Sequence, residues 1–117
     1  MREKKDNIIV TKTFNFACEV VDLEDRLVEL RKFVLSKQVV SSGMSIGANV
    51  REAQRAVSKA DFINKLGIAL KETEETEYWF QIIEKKIFSL NDKLKNELEE
   101  IIRILVSIIN SSKNNKF

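Results

Sequence analysis

Apolar residues recur at alternating steps of three and four positions through most of this chain, and this spacing limits its fold more than any other feature. Four segments carry the pattern, and each places one apolar stripe along a single side of a helix. A β-strand would alternate at every second position, which none of the four segments does. The stripes are Phe16, Val20, Leu23, Leu27 and Leu30; Val39, Gly43, Ile46, Val50, Ala53 and Val57; Phe62, Leu66, Ala69, Thr73, Thr76, Phe80, Ile83 and Ile87; and Leu94, Leu98, Ile101, Leu105 and Ile108.

Residue usage agrees with long helices joined by short connections. The 117 residues include no proline and only three glycines, although turns and loops depend on both residue types. Polar residues that suit a helix N-terminus stand near the start of each segment: Thr13, Ser36, Ser58 and Asn91. The predicted helices cover residues 13–31, 36–57, 58–89 and 92–111. Connections of a few residues require antiparallel neighbours, so we predict an all-α, antiparallel up-down-up-down four-helix bundle.

The length suits one domain with one core. We predict a bundle domain over residues 13–111, a flexible N-terminal segment over 1–12 and a flexible tail over 112–117. No apolar run approaches the ~18 residues that a membrane span needs. The charged start is not followed by the apolar stretch of a signal peptide. We therefore expect a cytoplasmic protein with no membrane partner.

The chain contains no histidine, and this absence removes several enzyme classes. Ser-His-Asp and Cys-His catalysis are excluded, as are the Glu-x-x-His pairs that hold di-iron centres in four-helix bundles. An acidic cluster in the third helix fits a solvated face better than a metal site, because Lys71 and Glu75 are spaced for pairing along the helix. We expect no enzyme activity, no cofactor and no metal. The cluster consists of Glu72, Glu74, Glu75 and Glu77.

Two groups of residues are candidates for contacts between subunits. Gly43 and Gly47 each weaken a helix interior by ~1 kcal/mol relative to alanine, so close approach of another backbone must offset the loss. That approach can be tight packing inside the bundle or a subunit interface, and the sequence leaves both open. Tyr78 and Trp79 flank the core position Phe80, and exposed Tyr and Trp often anchor interfaces. The candidate residues for an oligomer interface are therefore Gly43, Gly47, Tyr78 and Trp79.

Basic charge is concentrated at both ends of the chain and in residues 36–57, although the net charge is only +2. Arg51 and Arg55 lie one helical turn apart. One interpretation is a hydrogen-bonded network with Asn49 and Glu52 that fixes the second helix against the third. The other is contact with a phosphate backbone, for which the candidate residues are Arg51, Arg55 and Lys37.

Three runs of residues form a pattern that extends over most of the chain. They are Gln38 with Ser42-Gly43-x-Ser45-Ile46-Gly47-Ala48-Asn49-Val50-x-Glu52-Ala53; Ser58-Lys59-x-Asp61-Phe62-Ile63-x-Lys65-Leu66-x-Ile68-Ala69-Leu70-Lys71-Glu72; and Glu75-Thr76-x-Tyr78-Trp79. Together they resemble the bacterial four helix bundle protein family, over residues 13–110. That family was first described from reading frames in intervening sequences of the 23S ribosomal RNA gene.

The resemblance implies an antiparallel four-helix bundle without established enzyme activity, and related members assemble as ring-like homopentamers. The family is similar to the accessory proteins of diversity-generating retroelements, which are pentameric bundles that bind nucleic acid and a reverse transcriptase. We therefore expect a non-catalytic oligomeric scaffold that binds RNA or another nucleic acid weakly through many copies of a modest basic patch. The alternative is a protein–protein interaction module with no nucleic-acid role. A metal-dependent enzyme built on the acidic cluster is the least favoured.

Overall fold

Most residues of each predicted apolar stripe form the buried side of one helix, but the predictions of Leu30 and Val57 are wrong, because both are exposed and lie beyond the ends of the first and second helices. The computed structural model describes residues 4–114, with side chains from residue 8 onward. The described helices are α1 (Lys4–Glu29), α2 (Phe33–Gln54), α3 (Lys59–Lys86) and α4 (Asp92–Asn114). No strand occurs between residues 4 and 114, which confirms the all-α prediction. None of these four helices combines the length and apolar character that a membrane crossing requires.

The helices form a closed cycle of antiparallel neighbours. The first helix packs against α2 and α4, and α3 packs against the same two helices. The diagonal helices α1 and α3 meet through core side chains, such as Phe16 and Phe80, whose ring centroids lie 6.1 Å apart. The result is an elongated bundle of 50 × 23 × 19 Å with one continuous core.

Among residues 8–114, five polar residues are buried in this core, and each hydroxyl has a hydrogen-bond partner: Thr13, Ser36, Ser42, Thr73 and Thr76. Most donate to a carbonyl oxygen three or four residues earlier in the same helix, as Thr13 Oγ1 does to Ile9 O at 2.8 Å. One bond joins two helices, from Thr76 Oγ1 in α3 to Ser42 Oγ in α2 at 2.9 Å. Local partners therefore allow these hydroxyls to occupy positions of the apolar stripes.

The first helix begins nine residues earlier than the sequence predicts. Thr13 is buried in the interior of α1 rather than capping its start, and Ile9 one turn earlier is completely buried. The buried stripe thus continues toward the N-terminus through Thr13 to Ile9. Because Thr13 is polar, the apolar spacing in the sequence is interrupted at that position. Residues 4–12 of the predicted flexible segment are helical, and residues 1–3 lie outside the described range. At the other end α4 extends to Asn114, and residues 115–117 lie outside that range.

The capping predictions hold at α3 and α4 but fail at α2. Ser58 Oγ accepts a hydrogen bond from Asp61 N at 3.0 Å, and the Asp61 carboxylate accepts one from Val57 N at 3.2 Å. Asn91 Oδ1 accepts from Leu94 N at 2.7 Å. The second helix instead begins at Phe33, and Ser36 lies inside it with its hydroxyl bonded to Phe33 O at 2.9 Å. A serine inside a helix can bond to the preceding turn, which removes its value as a start signal.

The turn between α1 and α2 is closed by backbone hydrogen bonds. Arg31 N donates to Val28 O and Lys32 N donates to Leu27 O, each at 2.9 Å. This pair of bonds defines a Schellman motif, in which the residue after the helix adopts the left-handed conformation. Arg31 does so with φ of 62°, at a position where glycine is the usual residue.

Candidate nucleic-acid interface

Gly43 and Gly47 face α1 of the same chain. A methyl group on Gly43 would lie 2.8 Å from Val20 Cγ1, and one on Gly47 would lie 3.3 Å from Thr13 O. Both distances are closer than ordinary van der Waals contact, so the glycines let the α1 and α2 backbones approach. Tight packing inside the bundle therefore accounts for the two residues.

The structure separates the two aromatic residues that the sequence proposes as interface anchors. Trp79 is half-buried, and its ring packs against the core. Its Nε1 is buried and has no hydrogen-bond partner among the described residues. Tyr78 is 57% exposed and meets the Trp79 ring edge-on, with centroids 5.1 Å apart. Of these two residues, only Tyr78 is exposed enough to contact an external partner.

Arg51 and Arg55 are exposed at the C-terminal end of α2. Neither forms an ion pair within residues 8–114. The Arg51 guanidinium lies over the Phe14 ring of α1, 5.3 Å from its centroid, which is a cation–π contact. Its charge is therefore positioned but not neutralised.

The proposed polar network between α2 and α3 consists of one ion pair. Glu52 Oε1 accepts from Lys65 Nζ at 3.0 Å, whereas Asn49 donates within its own helix to Ser45 O at 2.8 Å. Lys37 is also exposed, but it lies two heptads before Arg51, roughly 21 Å away along α2. Arg51 and Arg55 are therefore a local pair on which Lys37 does not converge.

An exposed apolar strip runs along α1 and α2 beside the two arginines. Phe14, 53% exposed, is followed at heptad intervals by Val21 and Val28 on α1. Met44, one heptad before Arg51, is exposed on the same side of α2. The sequence did not predict this apolar strip, because the buried stripe is the stronger apolar pattern on the same helix. The seven-residue spacing of Phe14, Val21 and Val28 is the signal that could have found it.

Two carboxylates meet between α1 and α4. Burial, a hydrogen bond with Glu19 and the Glu19 charge together raise the pKa of Glu97 to about 7. Lys93 and Lys12 act in the opposite direction. Lys93 Nζ lies 3.8 Å from Glu19 and 4.0 Å from Glu97, so one ammonium serves both carboxylates. Glu97 therefore holds a proton at pH values below about 7.

The acidic cluster of α3 points mainly to solvent. Glu74, Glu75 and Glu77 are exposed, and Glu72 is half-buried. Burial, with the nearby Glu75 charge, raises the pKa of Glu72. Within residues 8–114 no three Cys, Asp or Glu side chains converge as a metal site would require. The arrangement supports a solvated helix face, in which Glu72 is the member most affected by its surroundings.

Comparisons with known proteins agree with this architecture. Residues 5–110 match the family model of the 23S rRNA-intervening sequence protein. A protein of unknown function from the S23 ribosomal protein family of Bacteroides thetaiotaomicron VPI-5482, known from a crystal structure at 1.70 Å resolution, has a similar fold with a TM-score of 0.85. The two sequences are 47% identical, and the match covers 91% of this chain and 98% of the other. No protein of curated function matches. The chain belongs to the 23S rRNA-intervening sequence protein family.

Proposed function

We propose that this protein is a non-catalytic, oligomeric scaffold that binds RNA or another nucleic acid weakly, through one modest basic site on each copy. The observation that carries the proposal is the pair Arg51 and Arg55. Both are exposed one helical turn apart, and neither has an ion-pair partner within residues 8–114. Arg51 is additionally held in place by Phe14. Unneutralised arginines at the end of a helix are suited to contact phosphates.

The exposed apolar strip supports association between copies. A line of large apolar side chains on a soluble surface marks an interaction site. We assign the cover of Val21 and Val28 to a second copy of the chain, in the homopentamer that the family resemblance implies, whereas Phe14 lies under Arg51 and stays outside this contact. Cyclic symmetry would place the same end of every bundle on the same face of the ring. Five weak sites would then act on one nucleic acid, and avidity would exceed the affinity of a single copy.

Light scattering tests the association. The wild-type protein should have a mass close to five copies of the 13.5 kDa chain. Val21→Asp places a charge in the apolar strip and should lower the mass. Val57→Asp makes the same change at a residue that is 91% exposed in the α2–α3 turn, and should leave the mass unchanged. A wild-type mass of one chain contradicts the oligomer and removes the avidity argument.

Fluorescence anisotropy across a salt series tests the nucleic-acid binding. The probes are a structured RNA, a single-stranded RNA and a DNA duplex. Binding at low salt should weaken steeply as salt rises, because phosphate contacts release counterions. Arg51→Ala with Arg55→Ala should reduce it, whereas Lys85→Ala with Lys86→Ala removes equal charge at the other end of the bundle and should not. Absence of binding at low salt contradicts the proposal.

A protein–protein interaction module without a nucleic-acid role is the second candidate. Tyr78 favours it, because the ring is largely exposed and yet fixed by its contact with Trp79. Such aromatic side chains contribute strongly to interfaces. This candidate takes precedence if the oligomer forms, nucleic acid does not bind, and Tyr78→Ala abolishes capture of a specific partner.

A further inference from the structure

The fold gathers basic segments that are far apart in the sequence at one end of the bundle. The start of α1, the α2–α3 turn with its flanking residues, and the end of α4 all lie there because the helices alternate in direction. We call residues 4–12, 49–65 and 103–114 the basic end. They hold nine Lys and Arg against three Asp and Glu, a formal charge of +6. The rest of residues 4–114 holds nine against fourteen, a formal charge of −5.

Three contacts fix these segments beside one another. Lys12 Nζ of α1 lies 2.9 Å from Glu100 Oε1 of α4. Phe14, one half-turn later on α1, lies under Arg51 of α2. A third contact, the 3.0 Å ion pair of Glu52 with Lys65, joins α2 to α3. The N-terminal half of α1 is therefore flanked by Arg51 on one side and by α4 on the other.

The two carboxylates at this end whose side chains are described, Glu52 and Asp61, are engaged by other groups. Glu52 pairs with Lys65, and the Asp61 carboxylate accepts the Val57 N–H at the α3 cap. Arg103 on α4 borders a shallow hollow of about 360 Å³ with an apolar floor of Ile8 and Ile104. Four exposed cations thus have no ion pair within residues 8–114: Arg51, Arg55, Arg103 and Lys113.

We propose that the whole basic end is one nucleic-acid backbone-binding surface, to which Arg103 and Lys113 of α4 contribute together with Arg51 and Arg55 of α2. This inference rests on the proposed function and extends its site to a helix that the sequence did not implicate. The bundle is 23 Å across at its wider section, and a duplex presents about 13 phosphates over that length. The cations are spread over separate helices. A repeating array of phosphates can contact all of them, whereas a single acidic side chain of a partner protein could contact only one.

Recognition through phosphates carries no sequence information, so this surface should bind unrelated sequences alike. The probes are a uridine 30-mer RNA, a mixed-sequence 30-mer RNA and a 30-base-pair DNA duplex. Affinities of the wild-type protein for the two RNAs should agree within about threefold at each salt concentration, because only phosphates are contacted. A preference above about thirtyfold for one RNA would overturn the assignment to backbone contacts.

The decisive variant is Arg103→Ala with Lys113→Ala, measured in the full-length protein. On single-stranded RNA the slope of log Kd against log salt should fall by about 0.7 for each contact that is lost. Lys85→Ala with Lys86→Ala is the matched control, because it removes the same charge from exposed positions at the opposite end. Thermal unfolding and light scattering of each variant separate a binding effect from loss of the fold or of the assembly.

The outcomes separate this inference from the proposed function. A reduced slope for the α4 variant with an unchanged control supports the composite surface. A wild-type slope for the α4 variant, together with weaker binding by the Arg51→Ala, Arg55→Ala variant, overturns the inference and leaves the proposed function intact. Tighter binding to phosphatidylserine vesicles than to any nucleic acid at the same salt overturns both.

Discussion

Gly43 and Val20 set the distance between α1 and α2, because a methyl group on Gly43 would lie 2.8 Å from Val20 Cγ1. Gly43→Ala should therefore lower the free energy of unfolding by about 1–3 kcal/mol through overpacking. Gly67→Ala is the matched control, since nothing lies within 4 Å of its added methyl group. That change should raise stability by about 1 kcal/mol, because alanine favours a helix over glycine. Urea denaturation measures both.

The clash can be tested further by shortening its other partner. In a Val20→Ala background, Gly43→Ala should cost less than it does in the wild-type protein, because the added methyl group then has room. The two sites are in contact, so their effects should not add. An equal loss in both backgrounds would show that Gly43 matters for another reason.

Stability should depend on pH through Glu97, whose pKa is raised to about 7 from 4.5 by burial and by Glu19. The folded state then holds this proton more tightly than the unfolded state, so the free energy of unfolding falls as pH rises from about 4.5 to about 7. The Glu97 side chain is 28% exposed, and we expect a loss of about 1 kcal/mol after screening by solvent.

Glu97→Gln should remove the part of the pH dependence of the free energy of unfolding that comes from Glu97. The variant should therefore be more stable than the wild type at pH 8. Lys93 and Lys12 also face this group, so the difference between variant and wild-type profiles is the quantity to measure. Glu99→Gln, at an exposed position two residues along α4, serves as the control. Parallel wild-type and Glu97→Gln profiles between pH 4.5 and pH 8 would rule out the role of the carboxyl pair.

The left-handed residue of the α1–α2 turn offers a stabilising substitution. Arg31 has a φ of 62°, and its backbone N–H already completes a Schellman motif. Arg31→Gly should raise the free energy of unfolding by about 0.5–1 kcal/mol, because glycine adopts this conformation without a Cβ penalty. Lys32→Gly, where φ is −91°, should give no gain. Equal effects of the two substitutions would show that backbone conformation is not the cause.

The buried hydroxyl bond between α2 and α3 should contribute to their alignment. Thr76→Val keeps the shape of the side chain but removes the 2.9 Å bond to Ser42, and should cost about 1–2 kcal/mol because a buried polar group loses a partner. Adding Ser42→Ala to Thr76→Val should cost less than Ser42→Ala alone. Full additivity in this double-mutant cycle would mean that the two hydroxyls do not interact.

The fold could be predicted from the sequence because helical spacing is a local property. Phe16, Val20 and Leu23 occur at the spacing that buries one side of a helix, and all three are buried. The start of α1 could not be predicted, because Thr13 satisfies its own hydroxyl by bonding to Ile9 O and so behaves as a core residue. The prediction that Ser36 caps α2 was wrong for the same reason, because its hydroxyl bonds to Phe33 O inside the helix.

The candidate site was predictable only in part, because its residues come together through the fold. Arg51, in the last turn of α2, and Arg55, directly after that helix, could be paired from their spacing. The placement of Arg103 at the same end of the bundle depends on helix direction and on the Lys12–Glu100 contact. The exposure of Phe14 depends likewise on how α1 meets α2.

Sedimentation velocity of the full-length protein with a labelled single-stranded RNA tests the central claim most directly, because it reports assembly and binding in one experiment. At low salt the RNA should sediment with an assembly of several 13.5 kDa chains. At high salt the RNA should sediment alone while the assembly persists, since salt weakens phosphate contacts but not apolar ones. RNA that sediments alone at every salt concentration, beside an intact assembly, would contradict the account.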